Sequence, residues 1–310
     1  MSSAPTVLAV CVNWNGREVL PELLESLLRN GYPALRTLLV DNASQDGSER
    51  RLPDGVQLLR LARNQGYAGA LNAALKRFLP SQASGSRDAP SCPDYFLLLN
   101  NDLVLERGLI GKLVEFAQKN QAGVCGPKIV RHSRPGRLDA AWGEVCWSHV
   151  LARYRGKNSP DGPRWNQVKE VELLLGCLLL VQRQVFEQVG LFDERFFMYH
   201  EEVDFLYRCR QQEIPVYYCP LAQARHRGAH STRKLPHQKT FWLRRNTVFF
   251  LRKHGAGATA WTHFFATLAA SLAFNCITLR WRRAGAILRG VKEGWKSRLD
   301  SSSGGGGVVS

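Results

Sequence analysis

Several patterns that would assign this sequence to a familiar class are missing from it. The 8 cysteines form no C-x-x-C pair and mostly stand in apolar surroundings, so buried free thiols in a reducing compartment explain them better than disulfides or a zinc site. No G-x-G-x-x-G opens the first predicted helix and no G-x-x-x-x-G-K-[ST] occurs, which disfavours a dinucleotide site and a Walker phosphate loop. Because no basic stretch precedes the first apolar run, we expect no signal peptide.

Acidic residues are scarce in the last third of the chain. From Leu221 to Ser310 there are 16 Lys or Arg residues, and the acidic residues are Glu293 and Asp300 alone. The remaining 220 residues hold 26 basic and 24 acidic side chains, so nearly all of the net charge of +16 lies in this third. This excess makes a nucleic-acid-binding protein one candidate class. Since the charge flanks an apolar stretch and no nucleic-acid-binding motif occurs, we expect no nucleic acid partner.

Apolar segments of strand length alternate with helix-like segments through the first hundred residues. The strands are predicted within residues 7–15, 36–44, 55–66 and 94–102, and the helices within 17–33 and 67–78. Such alternation predicts an α/β fold with a mostly parallel sheet, flanking helices and right-handed crossovers. The 310 residues are enough to bury a full core in one large domain or two.

Three of the predicted strands end in side chains that carry amide or carboxylate oxygens. The endings NWN, VDN and NND supply Asn13, Asn15, Asp41, Asn42, Asn100, Asn101 and Asp102. Polar turns explain one such ending readily, but they explain three poorly. Because parallel strands carry their carboxyl ends on one edge of a sheet, where open α/β proteins place their sites, we expect a binding site there.

Six motifs, in this order, resemble the family 2 inverting glycosyltransferases of the GT-A fold, in particular their rhamnosyltransferase-like branch. They are VNWNG, VDNASQDGS, NQGYAGALNAAL, LLLNNDLVL, GLFDERFFMYHEEVDFLYR and ARHRGAHS, spanning roughly Val7 to Ser231. The resemblance implies transfer of a sugar, with dTDP-L-rhamnose the favoured nucleoside diphosphate sugar, to a lipid-linked or cell-surface polysaccharide acceptor. A sugar nucleotidyltransferase is the alternative enzyme class. Such an enzyme normally has a Gly- and Arg-rich loop after its first strand, which VNWNGREVL does not supply.

The resemblance also implies a site for Mg²⁺ or Mn²⁺. Its metal ligands match Asp102, which ends LLLNND, and His226 in ARHRG. Asn100 and Asn101 stand where relatives often carry acidic residues, so one carboxylate remains at this strand end. Mg²⁺ suits such a sparse site, because it keeps several waters and takes one or two carboxylates together with substrate phosphate oxygens.

Further residues are assigned to the nucleotide sugar by the resemblance. Asp41 and Asn42 match residues that contact the base and ribose, although a turn that caps the next helix explains the same pair. The ends of the first and fourth strands contribute Asn13, Asn15, Asn100 and Asn101. Arg63 and Gly66 lie at a loop-to-helix junction, where positive charge and free N–H groups suit a diphosphate, and Asn72 lies further along that helix.

The segment YHEEVDF carries the residues that the resemblance makes catalytic. Inverting transfer is one displacement at the anomeric carbon, so a carboxylate must accept the proton of the acceptor hydroxyl, an effect of about 10²–10⁴-fold. The family's base is the second residue of the acidic pair, here Glu202, with Glu201 and Asp204 as neighbours. Many relatives carry Asp at the base position. Acidic residues in a first helical turn also offset the helix dipole, and for Asp204 both explanations stay open.

A stretch of 26 residues without Lys, Arg, Asp or Glu separates Lys253 from Arg280. It is long enough to span a bilayer, but it contains several polar residues, and its large apolar residues fall near one face. A helix in the membrane interface, flanked by basic residues, is the favoured interpretation, ahead of internal packing or dimerisation and of a membrane span. The protein is then expected to be cytoplasmic, on the inner face of the cell membrane, with an anionic membrane surface as partner and a homo-oligomer as a further possibility.

The predicted domain organisation follows from these assignments. Residues 1–232 form the catalytic GT-A domain, with a nucleotide-sugar half of about 1–105 and an acceptor half of about 106–232. Residues 233–300 form the basic helical segment, and 301–310 a disordered tail. Gly176 interrupts an apolar strand, which predicts a bulge or a close backbone approach at that position.

Overall fold

The structure is a computed structural model that describes residues 4–79, 91–228 and 236–299. The strands are β1 (Val7–Asn13), β2 (Leu35–Asp41), β3 (Val56–Arg60), β4 (Tyr95–Asn100), β5 (Leu103–Leu105), β6 (Val124–Arg131), β7 (Leu138–Ala140), β8 (Gly143–Val145), β9 (Ala152–Tyr154), β10 (Lys169–Glu170), β11 (Leu178–Gln182) and β12 (Val216–His226). The helices are α1 (Leu20–Leu28), α2 (Gly66–Phe78), α3 (Leu109–Asn120), α4 (Arg183–Val189), α5 (Glu201–Gln211), α6 (Pro236–Lys253), α7 (Ala258–Ile277) and α8 (Trp281–Lys296). The predicted tail 301–310 lies outside the described residues.

One large mixed sheet has the strand order β10-β12-β6-β11-β4-β1-β2-β3. The first four strands along the chain pair in parallel, as the strand–helix alternation predicted. β11 enters antiparallel between β4 and β6, and β12 then pairs in parallel with β6. A strand that runs parallel to the strand before it normally follows a helical crossover. The chain between β6 and β11 contains only short strands and one 3₁₀ turn, which agrees with the antiparallel pairing of β11. The α/β prediction is confirmed, and the sheet is parallel in its first half and mixed in its second.

Strand register brings the polar strand ends to one edge of this sheet. Asn13 pairs with Asp41 at the end of β1 and β2, and Val12 pairs with Asn100 at the end of β4. The strands that lead to this edge are buried almost throughout, so their side chains cannot tolerate a shift of one residue. The apolar runs therefore fix which oxygen-bearing side chains become neighbours.

Helices on the sheet bury regular apolar stripes. α1 buries Leu20, Leu23, Leu24 and Leu27, while Leu28, at the edge of the stripe, is 49% exposed. Each such leucine contributes about 1.5–3 kcal/mol of transfer free energy. α2 packs instead through small residues, with Ala68, Gly69, Ala70 and Ala74 buried. This close packing explains the alanine-rich sequence of α2 without any ligand.

The chain divides into two compact units. The first comprises Met1–Glu144 and Tyr154–Ser231, and the second comprises Val145–Arg153 and Thr232–Ser310. The predicted catalytic domain, residues 1–232, includes Val145–Arg153, whereas this segment groups with the C-terminal helices. Long-range packing decides this grouping, and sequence position alone does not reveal it.

The second unit consists mainly of α6, α7 and α8. Its small core joins Val248, Leu251, Phe264, Leu268 and Ile287. α7 is long and apolar enough to cross a membrane, with a mean hydropathy of 1.2, and 17% of its most apolar window is buried.

Candidate active site

A buried network of polar side chains joins the ends of β1, β2 and β4. The Nδ2 group of Asn13 donates to Ser48 Oγ at 2.8 Å, and Asn13 Oδ1 accepts from Asn101 Nδ2 at 2.8 Å. Asn13 Nδ2 also lies 3.4 Å from Asp41 Oδ1. A Cβ at Gly16 would lie 2.2 Å from Asn13 Oδ1 and 2.4 Å from Asn101 Nδ2. Any side chain at Gly16 would therefore break the contact that holds the first and fourth strand ends together.

Asn42 clamps the loop that leads into α2. Its Nδ2 group donates to Asn64 Oδ1 at 3.0 Å and to the Gly66 carbonyl at 3.1 Å, and its Oδ1 accepts from Gln65 N at 2.8 Å. Asn15, at the other side of this edge, has a φ of 51°, and its Oδ1 accepts from Gln45 N at 2.8 Å. Both asparagines thus shape loops at the edge of the sheet where the binding site is predicted.

Gly66 begins α2 with a φ of +76°. A Cβ there would lie 2.2 Å from the Phe197 carbonyl oxygen, which accepts a hydrogen bond from Tyr67 N at 2.7 Å. Gly66 N donates to Asn64 Oδ1 at 2.9 Å. The N–H groups of Gly66 and Tyr67 are therefore paired with protein acceptors and are not free for a diphosphate. The glycine instead lets the segment before α5 pack against α2.

Two other predicted nucleotide-sugar residues of the α2 region have different surroundings. Arg63 is exposed on the loop before the helix. Asn72 is buried, donates to the Phe192 carbonyl at 2.8 Å and to Glu194 Oε1 at 3.0 Å, and accepts from Phe192 N at 3.1 Å. The contacts of Asn72 anchor the chain that leads into α5, so a structural role accounts for this residue.

The two predicted metal ligands face each other. Nε2 of His226 lies 3.2 Å from Oδ1 of Asp102 but does not have the geometry of a hydrogen bond. On the other side of the ring, Nδ1 lies 2.7 Å from Oδ2 of Asp139. Burial alone would lower the pKa of His226, but Asp102 and Asp139 outweigh it and raise this pKa to about 9. Arg131 Nε lies 3.4 Å from Asp139 Oδ1 and completes the cluster.

This cluster fits a divalent cation. An Nε2 atom that is buried, lacks a hydrogen-bond partner and points at a carboxylate has the position of a metal ligand, and a carboxylate on Nδ1 is the usual orienting partner of such a histidine. Within the described ranges, no group of three or more His, Cys, Asp or Glu side chains forms a ready metal cage. Two protein ligands leave coordination positions for water and phosphate oxygens, as Mg²⁺ prefers.

Asp139 was not identified from the sequence. It lies on β7, within the irregular Gly126–Glu170 section, and no pattern around it marks a ligand. Its proximity to His226 arises because β7 and β12 pair on opposite sides of β6 and extend to the same end. The pairing of three strands far apart in sequence brings these residues together.

Glu202 lies in a close-packed pocket at the start of α5. Its Oε1 accepts a hydrogen bond from the Tyr154 hydroxyl at 3.1 Å. A Cβ at Gly176 would lie 2.8 Å from Cγ of Glu202, so the glycine is needed for the backbone to pass the carboxylate. The predicted close approach at Gly176 is confirmed, and its neighbour is the predicted base.

The adjacent carboxyls of Glu201 and Glu202 have different surroundings. Oε2 of Glu201 is buried without a hydrogen-bond partner. Burial, followed by the charge of Glu202, raises the pKa of Glu201 well above its usual range. Burial also raises the pKa of Glu202, but backbone N–H groups and the Tyr154 hydroxyl stabilise its ionised form and oppose that rise. Glu202 is therefore the member of the pair that carries the negative charge more readily.

The backbone before α5 is strained. Phe197, Tyr199 and His200 all have positive φ values, of 58°, 68° and 68°. Such conformations cost about 1–3 kcal/mol each for residues other than glycine, and they persist where the surrounding structure holds them. The strain lies immediately before the acidic pair and sets the direction in which α5 begins.

Asp204, the third predicted acidic residue, is fully buried. Its Oδ2 accepts from Arg208 Nε at 2.9 Å, one turn along α5. Arg208 also donates to the backbone carbonyls of Val189 and Leu191, the latter at 2.8 Å. This arrangement ties α5 to the end of α4, so the contacts of Asp204 support a structural role.

The segment Gly176–Cys177 connects the acidic pair with the strand ends. Gly176 packs against Glu202, and the Cys177 carbonyl accepts from Asn100 N at 3.0 Å. Burial raises the pKa of the Cys177 thiol, and the charges of Asp139, Asp102 and Glu202 raise it further. Both acidic clusters therefore lie within electrostatic reach of one buried thiol, and the candidate site is continuous within the first unit.

Comparison with known proteins gives a consistent result. Residues 8–174 match the family model described as glycosyl transferase family 2. An N-acetylglucosaminyl-diphospho-decaprenol L-rhamnosyltransferase of Mycobacterium tuberculosis is 29% identical over 270 residues, covering 80% of this chain and 84% of the relative. A low-salt glycan biosynthesis hexosyltransferase of Haloferax volcanii is 27% identical over 192 residues, covering 61% of this chain and 58% of the relative.

Among solved structures, a mannosyltransferase from Pyrobaculum calidifontis, in complex with GDP-Man and Mn²⁺, has a similar fold. The two share a TM-score of 0.55 and 15% sequence identity, over 96% of this chain and 89% of that one. The similarity supports the predicted α/β architecture. The family match favours glycosyl transfer over the nucleotidyltransferase and nucleic-acid-binding alternatives.

Proposed function

Because this chain belongs to glycosyl transferase family 2 and is a glycosyltransferase, we propose that it transfers L-rhamnose, with inversion, from a nucleoside diphosphate sugar to a lipid-linked acceptor. The observation that carries the proposal is the meeting of the polar strand ends, the Asp102–His226 pair and Glu202 around the Gly176–Cys177 segment. The rhamnosyltransferase relative from M. tuberculosis supports the choice of sugar and of a lipid-linked acceptor.

In the proposed reaction, Glu202 accepts the proton of the acceptor hydroxyl as its oxygen attacks the anomeric carbon. The bond between that carbon and the donor diphosphate breaks in the same step, and the configuration inverts. The hydrogen bond from Tyr154 holds the Glu202 carboxylate in one orientation. Protonated Glu201, beside it, keeps a second negative charge out of the pocket.

Asp102 and His226 would hold a divalent cation, with Asp139 orienting the imidazole. When bound, the cation neutralises the charge that develops on the leaving diphosphate. Asp41, Asn42 and the loop before α2 line the edge where the nucleotide is proposed to bind. Asn13 and Asn101 position this edge, because they bond to each other.

A thermal-unfolding screen of nucleotide sugars with and without Mn²⁺ tests the proposal. A donor present at 100 times its Kd stabilises the protein by about 2.7 kcal/mol, which is readily measured. dTDP-L-rhamnose with Mn²⁺ is expected to give the largest shift, and Asp102→Asn is expected to lose the part that requires Mn²⁺. A larger shift with another nucleotide sugar would contradict the choice of donor, and no shift with any of them would contradict the proposed activity.

We also propose that the second unit binds the inner membrane surface. The turn between α7 and α8 exposes Ile277 (80%), Leu279 (73%) and Trp281 (61%), alongside Arg280 and Arg282. Apolar side chains flanked by basic ones suit the boundary between headgroups and acyl chains of anionic lipid. Ile277→Ser is expected to weaken liposome sedimentation more than Leu221→Ser, which removes an apolar residue of the first unit that is 61% exposed. Equal behaviour of the two variants would contradict this location.

A further inference from the structure

Basic residues from four segments of the second unit lie within electrostatic reach of one another. They are His149 in the 145–153 segment, Arg244 on α6, His263 on α7 and Arg283 on α8. One Nη of Arg244 donates to the His149 carbonyl. His149 N donates to Thr267 Oγ1 at 3.4 Å, and the Thr267 hydroxyl donates to the His263 carbonyl at 2.7 Å.

Packing and electrostatics extend the cluster to α8. A Cβ at Gly290 would lie 3.0 Å from Cβ of Arg244, so α8 runs directly beside Arg244. Burial, and then the charge of Arg283, lower the pKa of Arg244 to about 10. Burial, and then Arg244 and His263, lower the pKa of His149 to about 4. The basic groups therefore repel one another within a partly buried space.

This cluster lacks an acceptor for at least one of its hydrogen-bond donors and has few negative charges near its positive ones. Nε of Arg244, a donor, and Nδ1 of His149, whose role depends on the tautomer of the neutral imidazole, are buried without a hydrogen-bond partner. Among the described residues of this unit, Glu293 is the only one with a carboxylate side chain. An unsatisfied buried donor costs about 1–3 kcal/mol, so native proteins rarely retain one without a ligand or water. The missing partner is an acceptor, and the surrounding charge makes it an anion.

The shape of the donors and their surroundings indicate the class of anion. The planar guanidinium of arginine matches the oxygens of phosphate. His263 and Arg283 are exposed, so the cluster opens to solvent, and the same helices expose Phe265 and Leu288. A ligand with a phosphate and an apolar chain would satisfy both features. We propose that His149, Arg244, His263 and Arg283 form a binding site for the phosphate group of a lipid.

This inference rests on the proposed membrane association and adds a specific site to it. Its test compares full-length wild-type protein with Arg283→Gln and Arg289→Gln, two variants that each remove one exposed positive charge from α8. Binding is measured to phosphatidylcholine vesicles that contain farnesyl diphosphate, phosphatidic acid or farnesol. Free pyrophosphate is added as a competitor.

Arg283→Gln is expected to weaken binding to the vesicles that contain farnesyl diphosphate or phosphatidic acid about tenfold, as loss of a charge-assisted hydrogen bond predicts. Arg289→Gln is expected to change it less than about twofold, as for an exposed charge. Neither variant should alter binding to farnesol vesicles. Stronger binding to the vesicles with farnesyl diphosphate would identify a lipid diphosphate as the ligand, and stronger binding to those with phosphatidic acid would identify a phospholipid headgroup. Either result supports the site.

Equal losses of vesicle binding in Arg283→Gln and Arg289→Gln would indicate diffuse electrostatic attraction and contradict a specific site. Free pyrophosphate that binds as tightly as farnesyl diphosphate would overturn the lipid part of the proposal. Thermal shifts with the nucleotide sugar are expected to be unchanged in both variants. Absence of a donor shift in all three proteins would count against the proposed function and not against this site.

Discussion

Two carboxylate clusters in the candidate active site have opposite electrostatic surroundings. Asp102 and Asp139 flank His226, which can carry a positive charge between them. Burial would raise the pKa of Asp139, but its hydrogen bond with His226 and the nearby positive charges outweigh burial and lower it. Glu201 and Glu202 instead lie side by side, and burial raises the pKa of both carboxyls.

This difference assigns the clusters different chemical capacities. Carboxylates that face a cation keep their negative charge over a wide pH range and suit a metal ion. Buried neighbouring carboxyls cannot both ionise easily, and the raised pKa of both suits a group that is proposed to accept the proton of the acceptor hydroxyl. Substitutions in each cluster should therefore change different measurements.

Asp102→Ala should have the largest effect. Loss of the proposed carboxylate ligand of the cation would remove several kcal/mol of transition-state stabilisation, so turnover should fall by at least about 10³-fold. Nucleotide binding should lose its dependence on Mn²⁺, while the thermal unfolding temperature without ligand changes little. A variant with full, metal-stimulated turnover would show that the site assignment is wrong.

Glu202→Gln should keep donor binding and lose about 10²–10⁴-fold in transfer rate, because the proposed proton acceptor is removed. Glu201→Gln is the matched control, since it removes the adjacent carboxyl from the same helical turn. Its rate loss should be smaller, and its pH–rate profile should keep the acidic limb of the wild type, because Glu201 is already uncharged when Glu202 ionises. A greater rate loss in Glu201→Gln than in Glu202→Gln would indicate that Glu201 is the base and Glu202 its neighbour.

The sequence predicted the parts of this site that depend on local pattern. The buried strand β4 ends at the predicted polar run, α5 begins at Glu201 as predicted, and Gly176 makes the predicted close approach. In each case, an apolar run or a glycine within a few residues carried the signal. The strand ends then become neighbours because the register of parallel strands brings their carboxyl ends to one edge of the sheet.

The rest of the site depends on pairing between distant segments. Asp139 reaches His226 across β6, and Tyr154 reaches Glu202 from a segment 48 residues away. Neither lies in a regular pattern that hydrophobic periodicity can detect. Asn72 and Asp204 illustrate the opposite case, because polar residues near a motif proved to have contacts that stabilise loops and helix ends.

Asp139→Asn should weaken metal binding without removing a ligand. A carboxylate on the outer nitrogen of a ligating histidine typically contributes about 10–100-fold in metal affinity, and we expect a loss in that range by Mn²⁺ titration calorimetry. Saturating Mn²⁺ should restore most of the turnover, unlike in Asp102→Ala. Glu144→Gln, which removes a half-exposed carboxylate of the same unit, is the control for net charge and should leave Mn²⁺ affinity unchanged. Equal losses of Mn²⁺ affinity in Asp139→Asn and Glu144→Gln would contradict an orienting role for Asp139.

Tyr154→Phe should have the smallest and most selective effect. The Tyr154 hydroxyl donates to Glu202 at 3.1 Å and stabilises the ionised carboxylate, so its removal should raise the pKa of Glu202 further above its usual value. Because the proposed reaction needs ionised Glu202, the acidic limb of the pH–rate profile should move to higher pH, by about one unit for a hydrogen bond to a charged group. Well above that limb the rates of variant and wild type should converge, since the base is then ionised in both. A uniform loss at every pH would show instead that Tyr154 only supports the packing around Gly176, and an unchanged profile would separate it from the base.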